Sequence, residues 1–109
     1  MTEDELLREV QKLAKLNGWL FAHFRPARTQ KGWRTLMQGD RGFIDCVLAK
    51  HIHQYPRNSD PQVLHLELKS EGGRLRPEQA KWLSALGGYI IRPSSLEWLA
   101  NKLKEASRE

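Results

Sequence analysis

The sequence predicts an α/β fold, a mixed β-sheet flanked by helices in the order α-β-β-β-α-β-α. Two observations carry this. Val63-Leu64-His65-Leu66-Glu67-Leu68-Lys69 alternates with period two, as a strand with two unlike faces does. Three other stretches, near the N-terminus, after Pro77 and after Ser95, repeat apolar residues three and four apart, the spacing of a helix with one buried stripe. With 109 residues, the chain reads as a single domain over 1–109 with a modest core.

Thr2 suits an N-cap, Glu5 stands at the capping-box position, and Glu3 and Asp4 suit the positive end of the helix. Leu6, Leu7, Val10, Leu13, Ala14 and Leu16 follow at helical spacing until Asn17-Gly18 stops the helix. Glu5 and Glu9 share a face beside that stripe. They are either solvated carboxylates or a source of one extra ligand. Trp19 to Phe24 reads as the first strand. Arg25, Arg28, Lys31 and Arg34 then alternate with Trp33 and small polar residues. That loop either meets a phosphate backbone or tucks Trp33 into the core and leaves its charges solvated.

Gly39-Asp40-Arg41-Gly42 turns the chain into an apolar run, Phe43 to Ala49, of the kind a strand covered on both faces shows. His51 and His53 have a metal-ligand spacing, but a loop of turn formers follows and no third ligand is near, so they read as solvated loop residues. After the alternating strand come a turn with Arg74 and Arg76, a helix from Glu78 to Leu86, and a short strand at Tyr89-Ile90-Ile91. Pro93-Ser94-Ser95 then caps a final helix. Gln79 opens the core-facing stripe of its helix, as a boundary residue or as a partner for the Glu67 and Lys69 face.

Lys and Arg outnumber Asp and Glu by 18 to 13, for a net charge of +5 and a pI of about 9.7, a balance that favours a polyanionic partner. The 39% hydrophobic and 28% charged content belongs to a soluble globular chain. Cys46 is the sole cysteine, which excludes an intrachain disulfide and a cysteine-based zinc site. No apolar run approaches the ~20 residues of a membrane span, and the acidic N-terminus is unlike a signal peptide. A reducing compartment, the cytoplasm, is expected.

Asp45 is the one charge in its apolar run, and a lone carboxylate there costs several kcal/mol unless it is paired or holds a metal. The sharpest reading has Asp45 and Glu67 sharing a divalent cation, with Lys69 facing the same point. Mg²⁺ takes oxygen ligands, often one or two carboxylates and several waters, and the Leu68 carbonyl is available as a third protein ligand. Such an ion serves phosphodiester hydrolysis by neutralising charge and activating water.

Gly42-Phe43-Ile44-Asp45 followed by Glu67-Leu68-Lys69 resembles the PD-(D/E)XK nuclease pattern. The segment Gly72-Gly73-Arg74-Leu75-Arg76-Pro77-Glu78-Gln79 with Trp82-Leu83 resembles, more narrowly, the VRR-NUC group of small phage and bacterial nucleases. The resemblance implies a restriction-endonuclease-like sheet and Mg²⁺ or Mn²⁺ bound by Asp45 and Glu67. It also implies Lys69 as the catalytic lysine, Gln79 as the glutamine of the group, and a first-helix glutamate at Glu5, or less well at Glu9. Homodimers that cut branched DNA, such as four-way junctions, in a bacterial or phage-infected cell are further implications. Two departures stand out. Ile44 replaces the usual Pro, and Arg76 replaces a capping Ser or Thr, which weakens the cap by roughly 1 kcal/mol.

The expected activity is therefore Mg²⁺-dependent deoxyribonuclease action on structured DNA. Arg25, Arg28, Lys31, Arg34, Arg41, Arg74 and Arg76 would contact the backbone. One alternative is a DNA-binding module that keeps the fold without catalysis. The other is an unrelated α/β protein whose Glu67 and Lys69 form a surface ion pair.

Overall fold

The computed structural model describes residues 1–24, 38–50 and 62–106, together with the backbone of two short strands at 27–29 and 32–34. Its elements are α1 (Glu3–Leu16), β1 (Trp19–His23), β2 (Ala27–Thr29), β3 (Gly32–Arg34), β4 (Cys46–Lys50) and β5 (Val63–Leu68). After these come α2 (Pro77–Leu86), β6 (Tyr89–Ile91), a 3₁₀ turn at Pro93–Ser95 and α3 (Leu96–Ala106). The result is a mixed α/β architecture of three helices and a four-stranded sheet ordered β1-β4-β5-β6.

The first two pairings are antiparallel and the last is parallel. Parallel neighbours need a crossover, and α2 supplies it between β5 and β6. Period-two alternation divides the faces of β5. Leu64, Leu66 and Leu68 join Leu6, Val10 and Ala14 of α1 and Leu99 and Leu103 of α3 in one core cluster. Glu67 turns the other way, toward Gln79 of α2. The sheet therefore separates α1 and α3 from α2.

The N-terminal cap forms as the sequence predicts. The Glu5 N–H donates to the Thr2 hydroxyl at 3.1 Å, and the Thr2 N–H donates to the Glu5 carboxylate at 3.1 Å. At the other end of α1, the Lys50 ammonium donates to the Asn17 carbonyl at 3.0 Å, a cation at the negative helix end.

Two details differ from the sequence expectation. β4 begins at Cys46, so Asp45 stands one residue before the strand. Residues 27–29 and 32–34, expected as part of a loop, form two short antiparallel strands, with Arg28 opposite Trp33 and Ala27 opposite Arg34. Ile44, in the place of a proline, is 1% exposed and anchors the approach to β4. Arg25, Lys31, His51 and His53 lie outside the described residues, as do the side chains of Arg28, Trp33 and Arg34. Among the described residues, no helix is long and apolar enough to cross a membrane.

Candidate active site

The antiparallel register of β4 and β5 aligns Cys46 with Leu66 and Val47 with His65. One step further along the same register sets Asp45 opposite Glu67. There the two carboxyl groups, far apart in sequence, come near enough for the Asp45 charge to act on Glu67. The Leu68 N–H fixes Asp45 by donating to its Oδ2 at 2.8 Å.

Glu67 is 2% exposed. Its Oε2 accepts from the Gln79 amide nitrogen at 2.7 Å, and the Lys69 ammonium stands 4.0 Å from the same oxygen. Its other oxygen, Oε1, is buried and has no hydrogen bond of ordinary geometry among the described residues, although the Asp45 backbone N–H lies near enough to the carboxyl to favour its charged form. A buried polar atom without a partner is uncommon and asks for an explanation. Burial first, and the facing Asp45 carboxylate second, push the Glu67 carboxyl up to about 8, while Lys69 pulls the other way. The same burial and the same two acids hold the Cys46 thiol up at about 12, so Cys46 remains a protonated core residue.

Gln79 joins two tasks. Its amide oxygen accepts the Arg76 N–H at 2.9 Å, closing the first turn of α2, while its nitrogen holds Glu67. An arginine side chain cannot accept a hydrogen bond, so only this half of a capping box operates at Arg76. Gly42 lets the chain come this close. Its φ is +86°, and a Cβ there would fall 2.7 Å from the Glu78 carbonyl carbon and 2.9 Å from the Gln79 nitrogen.

Lys69 is held from behind. Its N–H donates to the Ile91 carbonyl at 3.0 Å. The turn that follows is clamped by Arg92, whose guanidinium donates to the Ser70 and Gly73 carbonyls at 2.7 Å each and to the Glu71 carbonyl at 3.2 Å. Sequence reasoning passed over Arg92, because a guanidinium gathering the carbonyls of a distant turn leaves no local pattern.

Asp45 and Leu68 open onto a cleft of about 430 Å³ between the sheet and the first half of α1. His23 lines it from the end of β1, and Glu3, Asp4, Leu7, Arg8 and Gln11 line it from α1. Glu5 is not among them. Its carboxylate serves the helix cap, and the Thr2 N–H first, then the Thr2 hydroxyl, hold it below the usual carboxylate value. Glu9 lies beside Lys12 at 3.4 Å on the outer surface. The first-helix acids that line this cleft are Glu3 and Asp4. At 100° per residue, Asp4, Leu7 and Gln11 flank one side of the buried Leu6–Val10–Ala14 stripe, and Glu5 and Glu9 flank the other.

Of the remaining predicted residues, Arg41, Arg74 and Arg76 are exposed. Arg76 lies 3.7 Å from Glu78, and the Arg41 carbonyl accepts the Trp82 indole N–H at 3.0 Å.

Among the described residues, no group of three or more His, Cys, Asp or Glu converges as a metal cage. Two carboxylates do converge. A pair of oxygen donors, one with an unpartnered buried atom, fits a hard divalent ion that keeps part of its water shell. It does not fit a structural zinc site, which needs four closed ligands. The cation would take the place of the proton that Glu67 otherwise retains. No protein-family model, curated protein or solved structure matches the chain.

Proposed function

We propose that the chain is a Mg²⁺- or Mn²⁺-dependent endonuclease that hydrolyses phosphodiester bonds in branched or otherwise structured DNA. The fold we assign is restriction-endonuclease-like, and the group is VRR-NUC. The observation that carries the reading is the buried Glu67 beside the half-buried Asp45, with a Glu67 oxygen lacking a hydrogen bond of ordinary geometry and Lys69 at 4.0 Å.

Asp45 and Glu67 would hold the cation, with the Leu68 carbonyl as the backbone donor at the same end of the strand. When bound, the ion supplies charge neutralisation and lowers the pKa of water. Lys69 orients the attacking water or the scissile phosphate. Gln79 positions Glu67 through its amide and does not touch the substrate. Arg41, Arg74 and Arg76, with Arg25, Arg28, Lys31 and Arg34, meet the phosphate backbone. Those contacts carry shape and charge information rather than sequence, so selectivity for DNA geometry follows. Cutting both strands of a junction takes two sites, and a chain with one site reaches that as a homodimer. The working environment is the cytoplasm of a bacterial or phage-infected cell.

The test incubates the protein with Mg²⁺ and single-stranded, flapped, nicked and four-way DNA. Wild type is expected to cut a branched substrate. Glu67→Ala and Lys69→Ala are expected to lower the rate at least ~100-fold while DNA binding persists. Equal cutting by both variants and wild type would refute the site. Binding without metal-dependent cutting by wild type would point to the non-catalytic module.

A further inference from the structure

We propose that a second cleft, on the outer face of α2, holds one unpaired nucleotide of the DNA, its base against Trp82 and its phosphate against Lys81 and Arg41. The inference deepens the proposed function and takes its polymer from it. This cleft measures about 430 Å³ and is lined by Asp40, Arg41, Glu78, Lys81, Trp82 and Ala85. The chemistry assigned to Asp45, Glu67 and Lys69 makes no use of it. Glu78, Lys81, Trp82 and Ala85 recur at helical spacing, so α2 presents them on one face. Gln79, the neighbour of Glu78, turns inward to Glu67. One helical turn therefore serves the acid pair on its inner side and this cleft on its outer side.

Trp82 is half-buried and fixed in place. Its N–H donates to the Arg41 carbonyl at 3.0 Å, and its ring meets Phe43 edge-on, 4.8 Å between centroids at 90°. A platform immobilised before binding loses little entropy when a base settles on it. The volume lies in the lower range of small-ligand sites, enough for one nucleotide and far too small for a duplex. The rim has both signs. Arg41 and Lys81 are exposed cations suited to a phosphate. Asp40 offers a carboxylate to an exocyclic amine, as carboxylates do toward cytosine, while Glu78 lies 3.7 Å from Arg76. A bare phosphate would find two acids beside it. A nucleotide, which joins an anion to an amine-bearing ring, answers the whole rim.

The experiment is fluorescence anisotropy in EDTA at fixed salt, with three duplexes of one length: fully paired, carrying a single bulged cytosine, and carrying an abasic bulge at the same place. Wild type is expected to bind the cytosine bulge about tenfold more tightly than the other two. Trp82→Leu should erase that preference and leave fully paired affinity unchanged, Trp82→Phe should keep most of it, and Lys81→Ala should weaken the bulge several-fold. If Trp82→Leu fails to fold, the abasic comparison in wild type and the Lys81→Ala variant still decide. Equal binding of cytosine and abasic bulges by wild type, or an intact preference in Trp82→Leu, would overturn the assignment. Displacement of the bulge by micromolar free deoxycytidine monophosphate would overturn the DNA strand as occupant. A bulge preference without Mg²⁺-dependent cutting would support this cleft and refute hydrolysis, whereas no DNA binding at all would refute both.

Discussion

In the metal-free protein Glu67 keeps its proton up to about pH 8, whereas the same side chain in the unfolded chain ionises near 4.5. Between those values the folded state binds more protons than the unfolded state. Stability from this group is therefore greatest at the acid end, falls as pH rises from about 4.5 to about 8, and levels off above. The swing is on the order of a few kcal/mol. Glu67→Gln should flatten that slope in denaturant titrations run across the window without metal. A slope unchanged in the variant would place the titration elsewhere. Gln79→Ala removes one amide from two buried bonds, so a loss of ~1–3 kcal/mol is expected, measured by urea unfolding. Asp45, Glu67, Lys69 and Gln79 stood out in the sequence as a charge in an apolar run, an acid and an ammonium on the polar face of one alternating strand, and an amide on an apolar stripe. His23 and Arg8 break no rule, and only the meeting of β1 with α1 brings them to the cleft.

At the level of elements, the turn into β4 decides how closely the acid pair approaches α2. Gly42→Ala adds a carbon where φ is +86° and the first turn of α2 is in the way. The expected cost is roughly 1–3 kcal/mol, and the metal affinity should fall with it because Gln79 is displaced. An unaltered melting temperature together with unaltered Mn²⁺ affinity would contradict this. The strong periodic elements were readable: α1 with its Thr2 cap, β5 and the helices after Pro77 and Ser95. The β2–β3 pair was not, since its three-residue strands carry no apolar alternation. The first helix was found, but not the side that meets the sheet end. Acids flank the buried stripe on both sides, and periodicity alone does not choose between them.

For the molecule as a whole, the pairing of β4 with β5 brings two acids 22 positions apart near each other at the end of the sheet. The chain as a whole carries an excess of basic residues, a balance suited to a polyanionic partner. Pattern reading reached the α/β class and the helix order, because those follow from local periods. It could not reach the strand order β1-β4-β5-β6, which depends on contacts between segments distant in the chain. The claim beneath the rest is that Asp45 and Glu67 form one cation site. Calorimetric titration of Mn²⁺ at pH 8 tests it most directly. Wild type and Lys69→Ala should each bind the ion, whereas Asp45→Asn and Glu67→Gln should each lose affinity at least ~10-fold. Equal binding by all four proteins, or none by wild type, would contradict the account.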